Sequence, residues 1–521
     1  MRILYFLAHP DSIGGAMKVL LTQAYIMQKH GNEVKVVIQN DDDGKHIPEY
    51  NKLCELYELS FTEEKFAIAT CIEEIDLIKS MSHYKDVKKI IMNYRPEIIH
   101  SVQLNMVVEY VARELDIPHI MNIYQVMDGM FNIKWMNIFP KYHIGDTYFY
   151  CKKWHEGLKI ESICIRAAYD SKQKKVMQPL LQVNNKNRIE IINIAHLAEH
   201  KRQFEIIKFI EKCKNDGYDV HINFIGHDKT EYAQKCKDYV KTHNLGMQVS
   251  FIGAVLDLEK YLKKADLMVH ASTSESYPSV IVMAMCNYVP VLATPVAGVP
   301  ELIKDEENGF LSKGYTCEDL YTKFKRYIDF KEKGLINNII VKAYETYLMN
   351  NTYDVTYKTL DIFYHKILNE NTKDEKRYTD IERICGIVLD YGEKINLKEW
   401  SYETKCHLWY IYHIKQTIDK NKYKTAIIWG AGNWGKIAIE WCKILSLNII
   451  CITDSYKEGT FEGYIIEKPT RDKLAGVDVI FLAIWNMQVC EDNIKIIEDA
   501  GKKRNIDYFL TCNNPCIHTN D

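Results

Sequence analysis

The feature that most restricts how this chain can fold is an alternation that starts, stops and starts again. Short apolar runs rich in β-branched residues at 3–8, 34–38, 98–102, 119–124 and 162–165 are separated by longer stretches, and the first of these, 16–29, has helical periodicity. Runs this continuous suit strands buried on both faces, so the alternation predicts a parallel sheet covered by helices on either side. After a polar stretch at 170–175 the pattern restarts with runs at 188–195, 220–226, 249–253, 267–271 and 289–294, and a third time with 425–430 and 448–453. Residues 315–420 show Lys, Glu, Tyr and Leu at helical spacing with no ladder of strands. The chain therefore reads as α/β, with Rossmann-like units over 1–172, 173–350 and 421–515 and a helical linker over 351–420.

A length of 521 residues exceeds what one hydrophobic core supports. With 47% hydrophobic and 26% charged residues, the composition excludes a disordered or fibrous chain. The formal charge of -3 and the lack of a long basic block give no electrostatic reason to bind nucleic acid. Fifteen cysteines are scattered singly, without CxxC pairs or zinc-ligand spacing, which suits a reducing, cytoplasmic setting. The apolar amino-terminal run ends at His9, Pro10 and Asp11, and the one at 280–300 is broken by Asn287, Pro290, Pro295 and Gly298. The first is too short for a signal-peptide core and the second too interrupted for a membrane span.

In an open parallel sheet, ligands bind beyond the carboxyl ends of the strands, where loops lead into helix N-termini with free N–H groups. Two loops fit. Asp11-Ser12-Ile13-Gly14-Gly15-Ala16 follows the first strand, and its paired glycines permit close approach to a phosphate, although a tight turn also explains them. Ser272-Thr273-Ser274-Glu275-Ser276-Tyr277-Pro278-Ser279 follows the run at 267–271. Pro278 suits a first helical turn, so the amides of Ser279, Val280 and Ile281 could converge on a diphosphate. An ionised Glu275 would repel phosphate but accept hydrogen bonds from sugar hydroxyls. Its other reading is a helix-capping or solvated loop carboxylate.

These residues carry a resemblance. Val249-Ser250-Phe251-Ile252-Gly253, Ala265-Asp266-Leu267, Ser274-Glu275-Ser276-Tyr277-Pro278, Pro290-Val291-Leu292-Ala293-Thr294, Gly298-Val299-Pro300-Glu301 and Asn308-Gly309-Phe310-Leu311 stand in an order and spacing that resemble the retaining, metal-independent glycosyltransferases of the GT-B fold, group 1, family 4-like. The resemblance implies two facing Rossmann-like domains closing on a nucleoside-diphosphate sugar. It assigns Gly14, Gly15 and Gly253 to the donor side, Lys201 to the diphosphate, and Glu275 to the transferred sugar. His196 stands where the family commonly has Arg, and Met283 where it has a second Glu for the ribose. On the acceptor side, Tyr124 or Gln125 replaces a frequent His. A metal or cofactor is not required by this scheme. A glycan or lipid-linked acceptor, surface-polysaccharide assembly and peripheral attachment to the inner face of a bacterial membrane follow by analogy. The alternative is a sugar-nucleotide-binding or scaffold protein that kept the fold and lost turnover, as Met283 would suit.

Two further motifs carry other chemistries. Asp41-Asp42-Asp43 resembles a metal-holding aspartate motif, but after the second strand of a Rossmann-like unit a solvated turn explains it, and no metal is assigned. Gly430-Ala431-Gly432-Asn433-Trp434-Gly435 lies between a strand and a helix, with Asp454 ending the next strand, as in a dinucleotide fingerprint. A nucleotide or NAD(P) fits the pattern, and so does a structural or regulatory module whose glycines serve packing. Roughly ninety residues leave no room for a dehydrogenase substrate domain, and no pocket for an oxidoreductase substrate is legible.

Overall fold

The computed structural model describes residues 1–7, 15–40, 48–66, 83–102, 105–124, 141–158, 162–171, 188–255, 257–370, 408–484 and 487–511. Asp41, Asp42 and Asp43 lie outside them, as do Gly14 and Gln125.

Three sheets follow one another along the chain. The first holds β1 (Arg2–Leu7), β2 (Glu33–Asn40), β3 (Ser60–Lys65), β4 (Ile98–Val102), β5 (His119–Asn122), β6 (Tyr142–Gly145) and β7 (Ser162–Cys164). Their order is β3-β2-β1-β4-β5-β6-β7, every pair parallel. The second holds β8 (Ile189–Ile194), β9 (Val220–Ile225), β10 (Val249–Gly253), β11 (Leu267–His270), β12 (Val291–Ala293) and β13 (Phe310–Leu311), ordered β10-β9-β8-β11-β12-β13 and again parallel. Strand order reverses between β1 and β4 and between β8 and β11, so each sheet has a switch point where loops diverge and leave a crevice. The two facing α/β domains expected from the sequence are present.

The third sheet holds β14 (Thr425–Trp429), β15 (Asn448–Thr453), β16 (Gly459–Phe461), β17 (Tyr464–Glu467), β18 (Val479–Leu482) and β19 (Tyr508–Leu510), in the order β16-β17-β15-β14-β18-β19. Only β16 with β17 runs antiparallel there. Its core is continuous with first-domain side chains such as Val87, Ile91 and Val111, which share one apolar cluster with Ile414, Ile418 and Trp441.

Central strands are buried on both faces, as their unbroken apolar sequence requires: Ile3, Leu4, Tyr5 and Phe6 are all fully buried. The chain crosses to the second domain over 165–171, where Ala167 already joins the second core. It returns after the helix Ile336–Asn350. The next helix, Tyr353–Asn369, then buries Leu360, Tyr364 and Ile367 against the first sheet. Asn351, at the return, is fully buried and binds both passages: its Nδ2 donates to the Ala167 carbonyl at 2.8 Å and its own carbonyl accepts from the Tyr169 amide at 2.9 Å.

The first core also contains polar struts. Tyr364 Oη lies 3.0 Å from Tyr5 Oη and 2.6 Å from His100 Nδ1, and His100 Nε2 lies 2.6 Å from Asn122 Oδ1. Asn122 Nδ2 donates onward to Gln23 Oε1 and Tyr124 Oη. A neutral imidazole satisfies this chain, accepting at Nδ1 and donating at Nε2, and burial pushes His100 down to about 3. Nearby, Ser101, His119 and Glu109 stand in hydroxyl–imidazole–carboxylate order at 2.8 and 2.7 Å. Ser101 is fully buried, so this is a core strut that solvent does not reach. Among the described residues no helix is long and apolar enough to cross a membrane.

Candidate active site

β11 ends at His270, and the loop that follows returns Glu275 onto it before the helix Ser279–Cys286 begins. Glu275 is 9% exposed. Its Oε1 accepts from His270 Nε2 at 3.0 Å and from Lys201 Nζ. Lys201 closes the single 3-10 turn Glu199–Lys201 beyond β8, and the turn is tied to the Glu275 loop because the His200 carbonyl accepts from the Thr273 amide at 2.8 Å. Burial alone would raise the Glu275 carboxyl; His270 and Lys201 outweigh it and hold the group down at about 2. With Oε1 engaged by both donors, Oε2 is the oxygen of this ionised carboxylate left to accept hydroxyl protons among the described residues.

His196 and His200 stand at the same sheet end with ring centroids 5.4 Å apart. Both are exposed to solvent. Partial burial and then Lys201 lower both imidazoles; His200 and His227 add to this at His196, and Glu275 opposes it at both. An anion arriving beside them would reverse the sign of that field.

The helix Ser279–Cys286 begins without a side-chain cap. The Ile281 amide donates to the Pro278 carbonyl at 3.0 Å, which leaves the Ser279 and Val280 amides for an incoming anion. Met283, one turn beyond Val280, packs with it against the second core. Gly253 ends β10 at φ +78, a left-handed conformation that favours glycine, on the far side of the sheet from β11.

From the first domain, Gly15 opens the helix Gly15–Lys29. A Cβ at Gly15 would meet nothing within 4 Å, so packing among the described residues does not require glycine there. Val19, one turn on, packs against the second-domain core, which turns the start of this helix toward that domain. Lys18 beside it has its ammonium lowered by its surroundings and makes no hydrogen bond or ion pair among the described residues. Tyr124 is buried, its hydroxyl directed at Asn122, and it is the Tyr124 carbonyl that reaches the second domain, accepting from Ser276 Oγ at 2.8 Å.

Sequence reasoning missed the seam around this site. Ser276 also bonds Asp146, at the end of β6. Glu301 accepts from the amides of Tyr148 and Phe149 at 3.1 and 2.8 Å, capping a first-domain helix from across the cleft, with Arg166 at 3.5 Å. A Cβ at Gly298 would sit 2.2 Å from the Ser276 carbonyl and 2.3 Å from Thr147 Cγ2. His270 had one available signal: a buried Glu at the end of a strand needs a donor, and His270 is the residue in reach.

In the third module, Gly430 at φ +130 passes the Ala483 carbonyl and Gly435 lies against the Gly430 carbonyl, so both serve packing. Gly432 has open space where a Cβ would be. Asp454 accepts from the amides of Ala431, Tyr456 and Lys457 at 2.9, 2.9 and 3.0 Å and thereby holds the glycine loop itself. Among the described residues no group of three His, Cys, Asp or Glu side chains is placed to hold a metal ion. A cavity of about 450 Å³ lined by Lys35, Thr62, Glu64 and Tyr94 lies at the outer edge of the first sheet, away from Glu275.

Residues 181–345 match the sequence profile of the glycosyl transferases group 1. This stretch is a group 1 glycosyl transferase domain. Protein CapJ of Staphylococcus aureus is 26% identical over 196 residues, 36% of this chain and 48% of CapJ. The chain thus spans about half the length, or less, of the curated relatives it matches. A glycosyltransferase from Rickettsia africae ESF-5 superposes with a TM-score of 0.59 at 15% identity, covering 71% of this chain and 99% of that one. Anabaena HepE, solved with UDP and glucose, superposes at 0.56 and 16% identity, covering 70% and 100%. At these identities the likeness establishes the fold, which is GT-B, and the group 1 domain occupies the half that carries Lys201 and Glu275.

Proposed function

We propose that the chain transfers a sugar from a nucleoside diphosphate to an acceptor hydroxyl, with retention of anomeric configuration. One observation carries this: an ionised, buried Glu275 clamped by Lys201 and His270 beside a helix start with two uncommitted amides, inside a group 1 glycosyl transferase domain. In this scheme the diphosphate lies between Gly15 and the Ser279 and Val280 amides, with Lys201, His196 and His200 around it. Negative charge grows on the diphosphate as the anomeric bond breaks, and fixed donors stabilise that charge more than the ground state. Glu275 accepts from hydroxyls of the transferred sugar and orients it. That Anabaena HepE was solved with UDP and glucose supports a nucleotide-linked donor.

A glycan or lipid-linked acceptor, met at the inner face of a membrane during surface-polysaccharide assembly, fits the same scheme. In the third module, Gly432 marks where a nucleotide or dinucleotide would approach, while Asp454 is engaged by the loop. One residue favours the second reading: Met283 has no acceptor for ribose hydroxyls, as in a protein that binds sugar nucleotides without turnover. A panel of UDP-, GDP- and ADP-sugars separates the two. Thermal stabilisation together with slow donor hydrolysis supports the enzyme, stabilisation alone supports the binding protein, and silence across the panel in folded protein overturns both.

A further inference from the structure

Ser276 Oγ lies within hydrogen-bond reach of two first-domain oxygens, the Tyr124 carbonyl at 2.8 Å and the Asp146 carboxyl. A carbonyl oxygen only accepts, and a serine hydroxyl has one proton to give. Were Asp146 ionised, both neighbours would compete for that proton and one contact would set two acceptors face to face. With Asp146 protonated, its O–H donates to Ser276 Oγ, Ser276 donates to Tyr124, and every proton is placed.

The surroundings agree. Asp146 is 5% exposed. The groups facing it are the Ser276 hydroxyl and Tyr277 amide from the second domain, its own amide, and the side chains of Tyr124, Cys151 and Glu301. None of these brings a positive charge, and the nearby Arg166 guanidinium is turned to Glu301. Burial pushes the Asp146 carboxyl up to about 7, with Glu301 adding to the rise, against the hydrogen bonds that Ser276 and the two amides would give its ionised form.

We propose that Asp146 carries a proton whenever the two domains are seated as described, and that its ionisation unseats Ser276, making the seam beside Glu275 a proton-operated latch. The seated state holds a proton that the unseated state releases, so seating weakens as pH climbs from the ordinary carboxyl range to about 7 and levels off above it. Because Ser276 directly follows Glu275, Asp146 acts on the sugar site through the loop, as a positioning residue. Only this effect on transfer rests on the proposed function; the latch belongs to the chain without ligand.

Infrared difference spectra of the full chain test it. A protonated-carboxyl C=O band is expected to fade as pH rises through about 7 and to be missing in D146N. The Asn amide donates to Ser276 at every pH, so the rise in radius of gyration and fall in thermal midpoint expected of the natural chain between about pH 4 and 7 should vanish in D146N. S276A, which removes the acceptor, should show the expanded radius throughout that range and serves if D146N fails to fold. Absence of the band at acid pH, or the same pH dependence in the natural chain and both variants, overturns the proposal. If the donor panel is silent while these spectra behave as expected, the latch stands and the transferase reading falls.

Discussion

Glu275 is at once buried and ionised, and one of the two donors that keep it so, Lys201, is a cation the proposed diphosphate would also draw on. E275Q keeps its shape and removes the charge; transfer is expected to fall by roughly 100-fold or more, well beyond any loss of folding stability, as read from kcat and thermal midpoint together. The depressed carboxyl also sets an acid limit. A group whose folded value lies at about 2 against an ordinary 4.5 contributes stability above the ordinary value and loses it as pH falls between the two. Acid titration of unfolding should show this loss, roughly 3 kcal/mol, and E275Q should lack it. The imidazoles carry the opposite sign. His196 and His200 are lowered at rest and would gain protons beside an anion, so donor binding should tighten as pH drops from about 8 to about 6. UDP-glucose suits the titration because its diphosphate diester does not itself titrate in that range. H196R should flatten the dependence, and an affinity equal at both ends in the natural chain would remove the imidazoles from the site.

Among the elements, two glycine turns make contrasting predictions. Gly298 is crossed by the Ser276 carbonyl and by Thr147, so G298A should cost about 1–3 kcal/mol and disturb the Glu275 loop. Gly15 has open space, so G15A should leave stability unchanged or slightly raised while weakening donor affinity about tenfold, seen by calorimetric titration. The same contrast describes what could be read from sequence. β1, β4, β8, β11 and β14 are each dominated by buried Ile, Leu, Val, Met or aromatic residues, with few polar interruptions, and announce themselves. β3 reads Ser-Phe-Thr-Glu-Glu-Lys at a sheet edge, β13 has two residues, and the β16–β17 hairpin is largely exposed, so none has the signature of a buried strand. β18, Val-Ile-Phe-Leu, was within reach of the same pattern. Lys201 and Glu275, which the structure brings into contact, were legible as site candidates from loop position and resemblance. Asp146 and Glu301 were not, because their partners lie 130 and 153 positions away and meet them only once two domains have docked.

The molecule as a whole is held by paired crossings. Asn351 bonds the outgoing passage at Ala167 and Tyr169 and the Glu275 loop through Tyr277. N351A strands a buried carbonyl and hydroxyl and should cost about 2 kcal/mol, lowering the denaturant midpoint of the transition that separates the domains. The helix Tyr353–Asn369, which follows, has a practical corollary. Because Leu360, Tyr364 and Ile367 complete the core around Tyr5 and Leu21, the amino-terminal lobe is discontinuous in the gene. A truncation ending after the first crossing would release a lobe with an unfilled greasy trough, prone to clump, and supplying the missing helix as a separate peptide should recover its solubility.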